Sequence, residues 1–349
     1  MNKKIIHSFL AATILFFSCE KHGKLEWENP TIFGINKLPP KAHFISYETE
    51  KLAQINNPLE SKNYISLNGK WKFKFSKNIK DRPQDFYEMG YNDDEWSNII
   101  VPGSWELQGW SHPIYLDEEY PFPANPPFIP NNLNTVGSYK KNMIIPQDWL
   151  KKDVILKLGS VRSACYVWFN GKYVGYSQGS KTPSEFDVTE LIQTGNNQVA
   201  IQVYRYSDGS YLEGQDTWRI SGLERDVSIY AKDRIRIDDF TIKSSLNDTY
   251  SEGVFSIDVD ILNKFKKESK VSIRAKLIDP LRRNRTIFDS TKYIGIDSIS
   301  TVSINHRVRR VRAWSAETPY LYKLQLYLSK GDELVETFTH QVGFRRIEI

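Results

Sequence analysis

Between residues 63 and 347 the chain breaks into short runs in which apolar and polar residues alternate, and helical spacing of apolar residues is nearly absent. In SLNGKWKFKFS the apolar positions are Leu67, Trp71, Phe73 and Phe75. A period of two puts such residues on one face of a strand. Runs of the same kind follow in GSYKKNMIIP, DVILKLGSV, ACYVWFNGKYVGYS, EFDVTELI and NNQVAIQVYRY. Asn-Gly pairs at 68–69 and 170–171 mark tight reversals between them. Sheets with one apolar face must bury it against another layer. Residues 63–232 are therefore expected to form a jelly-roll β-sandwich. A second series of about seven runs, from RIRIDDFTIKSSL to ELVETFTHQVGF, occupies 234–347. Its number and spacing predict an immunoglobulin-like sandwich without the paired cysteines of antibody domains. The fold class is all-β, a jelly roll followed by an immunoglobulin-like domain.

The first 62 residues read differently. Lys3 and Lys4 precede an apolar run from Ile5 to Phe17, and Ser18 and Cys19 follow. The run is short for a bilayer span, which needs about 20 apolar residues, and has the layout of a signal peptide over 1–18. LFFSC resembles a lipobox, so Cys19 is the expected lipidation site, and a lipid there would be the only membrane attachment. The expected location is across the inner membrane, in the periplasm or at the outer membrane. Residues 19–62 are rich in Pro and Asn and lack a periodic pattern. Trp27, Phe33, Phe44 and Tyr47 argue that they form an extended arm docked on the folded body.

Charge and motifs exclude several functions. The 47 basic and 42 acidic residues leave +5, a near balance that offers no track for nucleic acid. HRVRRVRAW at 306–314 reads as a strand with a solvated face. The six histidines are scattered and no metal-ligand or phosphate-loop motif occurs. Cys165, inside SACYVWF, reads as a core residue. GYSQG at 175–179 has the letters of a nucleophile elbow, but Pro183 and a strand follow where a helix is required, so Ser177 is read as a loop serine.

Two stretches are unusual. PIYLDEEYPFPANPPFIP, 113–130, holds six prolines in eighteen residues and displays Asp117 and several aromatics on a stiff loop. DGSYLEGQDTWRISG, 208–222, crowds Asp208, Glu213 and Asp216 with Trp218 and Arg219. Glu213 and Asp216 are hard oxygen ligands suited to an alkali or alkaline-earth cation, or acceptors for sugar hydroxyls. Trp218 offers a flat face to a sugar ring. The alternative is a charge network with Arg205, Arg219 and Arg225.

The chain resembles the N-terminal third of glycoside hydrolase family 2 β-galactosidases. The residues that carry the resemblance are WENP at 27–30, SLNGKWKF at 66–73, VPGSWELQGW at 101–110, NPPFIP at 125–130, FNGKYVGYSQGSKTPSEFDVT at 169–189, YRYSDGSYLEGQDTWRISGLERDVSIY at 204–230 and VGFRRIEI at 342–349. The resemblance implies retaining hydrolysis of terminal β-D-galactosides by two glutamates of a barrel that follows these domains. No catalytic residue is assigned within 1–349, and the chain by itself is expected to be inactive. The resemblance gives Asp216 a Na-like monovalent cation and substrate hydroxyls. Asp117 stands where the family usually has Asn, lining the same site. A divalent cation, Mg or Ca, is implied only for the barrel. Expected partners are a β-galactoside or oligosaccharide and the chain's own barrel, and oligomeric state is not legible. The alternative is a stand-alone, non-catalytic carbohydrate-binding lipoprotein.

Overall fold

The computed structural model describes residues 25–214, 216–281, 285–295 and 297–348. Residues 1–18 and Cys19 lie outside these.

Two layers form the first body. The larger is an antiparallel sheet in the spatial order Gly34–Ile35, Lys172–Gln178, Ala164–Phe169, Gly195–Tyr204, Val136–Ile145, Gly69–Ser76 and Ser97–Val101. The facing sheet runs Ser184–Asp187, Asp153–Leu158, Val227–Lys232 and Tyr64–Ser66. Strand neighbours are mostly far apart in sequence, as crossing connections in a jelly roll require. Trp71, Phe73, Trp105, Tyr139 and Trp149 fill the space between the layers with Val and Leu from both. Gly137 is small of necessity: a Cβ there would lie 2.6 Å from the Trp105 ring. Asn170 and Gly171 both take positive φ, 49° and 79°, and close the hairpin in which Phe169 pairs with Lys172. Asn68 instead joins the sheets, accepting from Val227 N at 3.0 Å and donating to Asp226 at 2.9 Å.

The second body is a three-stranded sheet, Ile235–Leu246, Glu252–Asn263 and Ser298–Arg309, over a four-stranded one, Arg285–Ile294, Ser269–Ile278, Tyr322–Lys330 and Glu333–Val342. Both sheets are antiparallel, and their alternate apolar residues form one core around Phe255, Leu326 and Phe338. Asp153, at the edge of the first body, accepts from Arg236 and Lys264 of the second, each at 2.6 Å.

The arm crosses both bodies. Gly34–Ile35 adds a short strand to the first, and Tyr47 exchanges backbone hydrogen bonds of 2.8 and 3.0 Å with Thr337 of the second. The aperiodic reading of this segment missed a helix, Glu50–Ile55. Thr49 Oγ1 accepts from Leu52 N at 3.3 Å and Asn56 ends the helix at φ 55°. Six residues form too little helix to persist alone. Burial of Ala53 and the bond from Thr339 Oγ1 to Ala53 O, 2.9 Å, hold it against the second body.

Ser177 is corrected by the fold. It lies within the strand Lys172–Gln178, buried, with its hydroxyl 2.6 Å from that of Ser184. Cys165 is fully buried, and burial pushes its thiol up to about 12, as suits a core residue.

Candidate functional site

The two unusual stretches meet. Ile114–Leu116 pairs antiparallel with Thr217–Arg219, which sets Tyr115 opposite Trp218. Their rings are 5.3 Å apart at 58°, and each is about half exposed. Asp216 donates its backbone N–H to the carbonyl of Asp117 at 2.9 Å, so the two acidic residues sit side by side at the end of this ribbon. Both are exposed. Asp216 is held at φ 45°, a conformation that Asp tolerates better than most residues. The Tyr115 hydroxyl donates to the Asp216 carboxylate, and that bond pushes the phenol up.

The other carboxylates of the segment face elsewhere. Glu213 accepts from Ser180, at its backbone N–H (2.9 Å) and its hydroxyl. Asp208 is buried and accepts from Gln178 Nε2 at 2.7 Å; burial raises its carboxyl above the usual range. These two acids shape the loop and leave Asp216 as the one it displays. Sequence spacing could not separate the three, because their partners lie 30 to 101 positions away.

A buried charge assembly holds the ribbon from below. Arg205 donates to Ser111 Oγ at 3.1 Å, to the His112 carbonyl at 3.0 Å and to the Arg219 carbonyl at 3.1 Å, so one guanidinium ties both strands. Its Nε lies 3.6 Å from Glu106 Oε1, and Glu106 Oε2 accepts from Ser221 N at 2.8 Å. Burial raises the Glu106 carboxyl, with Ser221 and Arg205 pulling the other way. Arg219 packs so closely under Gly214 that a Cβ there would fall 1.7 Å from Nη1. Burial lowers the Arg219 guanidinium, and neighbouring Arg162 adds to it. The network considered for the segment, with its arginines paired to its own carboxylates, is not the one that forms: Arg205 turns to Glu106, while Asp208, Glu213 and Asp216 accept from Gln178, Ser180 and Tyr115. Arg225 stands apart, donating to the Lys181 carbonyl at 3.2 Å. Glu106 and Tyr115 were not singled out by sequence; Tyr115 was legible only as one aromatic of the proline-rich loop.

That loop is stiffened on its inner side. Phe122 packs edge-on against Tyr206 at 5.0 Å, and the Tyr211 hydroxyl donates to the Phe128 carbonyl at 2.7 Å. Its outer side presents Asp117, Glu118 and Glu119 to solvent. Among the described residues no three His, Cys, Asp or Glu side chains are placed to hold a metal ion. Asp216 therefore offers part of a hard-oxygen set, of the kind an alkali cation accepts, and not a closed cage.

Two family patterns match the chain. "Glycosyl hydrolases family 2, sugar binding domain" covers 64–233, and "Glycosyl hydrolases family 2" covers 235–345. The chain belongs to glycosyl hydrolase family 2, of which it carries these two β-domains. It is 37% identical over 349 residues to a β-galactosidase of Priestia megaterium, covering 95% of this chain and 33% of that enzyme. It is 36% identical to a β-galactosidase of Halalkalibacterium halodurans, covering 94% of this chain and 32% of that enzyme. The chain thus spans about a third of the length of the curated relatives it matches. Among solved structures, a family 2 β-glucuronidase superposes with a TM-score of 0.66 at 19% identity, over 81% of this chain and 30% of that one. A Bacteroides uniformis β-glucuronidase superposes with 0.65 at 20% identity, over 80% and 32%. At these identities the likeness is one of fold.

Proposed function

We propose that the chain is the N-terminal portion of a retaining β-galactosidase acting on terminal non-reducing β-D-galactosides. The observation that carries this reading is the 37% identity to a β-galactosidase along 95% of the chain. The ribbon supports it: a rigid, exposed pair of strands presents Asp216, Asp117 and the Trp218 ring to a site completed by a barrel that follows in the whole enzyme. No residue of this chain is given an acid, base or nucleophile role.

Within that site Asp216 accepts hydrogen bonds from sugar hydroxyls, and the Tyr115 hydroxyl fixes the carboxylate's orientation. Trp218 stacks on the apolar face of the sugar. Asp117 accepts where an amide would also donate, which favours hydroxyls that can turn their hydrogen toward it. A Na-like cation at Asp216 would neutralise its charge and orient a sugar hydroxyl. Other enzyme regions would complete its oxygen shell, and a Mg or Ca ion would belong to the barrel. Signal residues 1–18 and a lipid on Cys19 would deliver the protein to the periplasm or outer membrane.

The test is Asp216→Ala in the complete enzyme. KM for a galactoside should rise about tenfold, equivalent to ~1.4 kcal/mol, and stimulation by sodium should disappear. Unchanged kinetics across a sodium titration would refute the assignment.

A further inference from the structure

The outward face of the four-stranded sheet in the first body carries a trough separate from the ribbon. Glu185 pairs with Lys157, and Lys157 with Ser228, so these three form one row across the strands. Leu156, Leu158 and Ile229, which alternate with them, point into the core. Two positions along the same outward face, Tyr230 stands directly opposite Tyr64, setting two phenols side by side. The arm passes over this face at His43 and Phe44. Beneath and beside it lie cavities of about 440 and 520 Å³ that share His43, Phe44, Lys157, Pro183, Tyr230 and Lys232 as walls. These volumes suit a mono- to trisaccharide-sized ligand.

The chemistry of the walls is specific. Tyr64, Tyr230 and Phe44 supply ring faces and edges, and Asn63, Ser61 and Ser228 complete the wall, the Ser61 hydroxyl donating to Glu48 and Asn63 Oδ1 accepting from Lys152 at 2.8 Å. The smaller cavity is lined by three cations, Lys157, Lys232 and Arg225, with Asp226 as the carboxylate in its wall. Asp226 already accepts from Asn68. Lys157 lies 3.2 Å from Glu185 and 3.1 Å from His43 Nδ1. The Lys232 ammonium sits over the rings of Phe44, at 4.5 Å, and Tyr230, at 5.8 Å. Arg225 is exposed and donates to the Lys181 carbonyl. Burial lowers the Lys232 ammonium, with Glu336, Glu185 and Asp238 pulling the other way, and burial and Lys157 lower the His43 imidazole against Glu185. An anion bound here would offset that cost through charge-assisted hydrogen bonds.

We propose that this roofed trough is a second saccharide site that takes a uronate: a pyranose ring lies against Tyr64 and Tyr230 while its carboxylate meets Lys157, Lys232 and Arg225. The proposal is independent of the β-galactosidase reading, which rests on the ribbon.

Titration calorimetry of the purified chain with trigalacturonate tests it, with β-1,4-galactotriose as the neutral counterpart. Trigalacturonate is expected to bind at least tenfold more tightly than the neutral trisaccharide, and to weaken as sodium chloride is raised. Tyr64→Ala should weaken trigalacturonate at least fivefold. Arg225→Gln should weaken trigalacturonate at least threefold and leave the neutral sugar within twofold. Tyr64 and Arg225 are chosen over Tyr230 because the Tyr230 ring also carries the Lys232 ammonium at 5.8 Å, and near-ultraviolet circular dichroism verifies that both variants are folded. Trp218→Ala on the ribbon should leave trigalacturonate affinity within twofold. Absence of binding, equal affinity for the acidic and neutral sugars, or loss of binding in the Trp218 variant would each overturn the proposal.

Discussion

Arg205→Met removes the guanidinium that ties the two strands of the ribbon while keeping most of the side-chain volume. Three acceptors lose a donor: Ser111 Oγ and the carbonyls of His112 and Arg219. The Glu106 carboxylate loses its cation, with its side chain fully enclosed. Breaking a buried pair by deleting one partner costs about 3–5 kcal/mol, and part of the ~1.5–3 kcal/mol of each charged hydrogen bond is already contained in that figure. The expected loss is therefore ~4 kcal/mol, a large share of the ~5–15 kcal/mol that holds an ordinary domain. Equilibrium urea denaturation at pH 7, followed by tryptophan fluorescence, measures it. Glu106→Gln in the same chain removes the stranded charge and should restore more than half of the loss.

The pH dependence has a definite sign. In Arg205→Met, burial acts on Glu106 without its guanidinium, so the folded carboxyl titrates higher than in the parent and above its unfolded value. A group raised in the folded state carries no penalty below its unfolded pKa. The penalty grows as pH rises from that value through the folded one. The destabilisation should therefore be smaller at pH 4 than at pH 7. A loss under 1 kcal/mol at pH 7, near the level of an ordinary surface change of about 0.5 kcal/mol, would refute the view that this assembly bears on the ribbon. So would a penalty that grows toward acid pH.

Asp153→Asn should destabilise the joint between the two bodies by ~3 kcal/mol at pH 7. Burial alone would raise the Asp153 carboxyl, but hydrogen bonds from Lys264 and Arg236 outweigh it and hold the carboxyl below the usual range. Its contribution is thus present above the unfolded value of about 3.9 and fades as pH falls through the folded one, so the parent–variant difference in urea midpoint should close toward pH 3. Gly175→Ala would bring a Cβ within 2.3 Å of the Ile35 carbonyl. The arm strand should detach, and limited trypsin digestion should cut at Lys37 and Lys41 at least tenfold faster than in the parent. Cys19→Ser should abolish incorporation of radiolabelled palmitate in a bacterial host, whereas equal labelling of both proteins would remove the lipid anchor from the account.

The sequence by itself determined the layers. Alternation at Trp71, Phe73 and Phe75, and again through the second series of runs, leaves a chain no way to bury its apolar side except sheet against sheet. The Asn170-Gly171 pair specified its own hairpin because positive φ at both positions is a local property. The stretches around LEGQDTW and PIYLDEE, which the sequence set apart, come together in one ribbon. Only the tertiary structure decided which carboxylate of that segment is displayed. Asp208, Glu213 and Asp216 look alike within nine residues, yet Gln178 and Ser180, at the end of one distant strand, and Tyr115, from another, sort them. The helix Glu50–Ile55 was hidden for the same reason: its stability comes from the second body and not from its own six residues. Local backbone preference is written in adjacent residues, whereas burial and charge pairing depend on segments that become neighbours only after the sheets have closed.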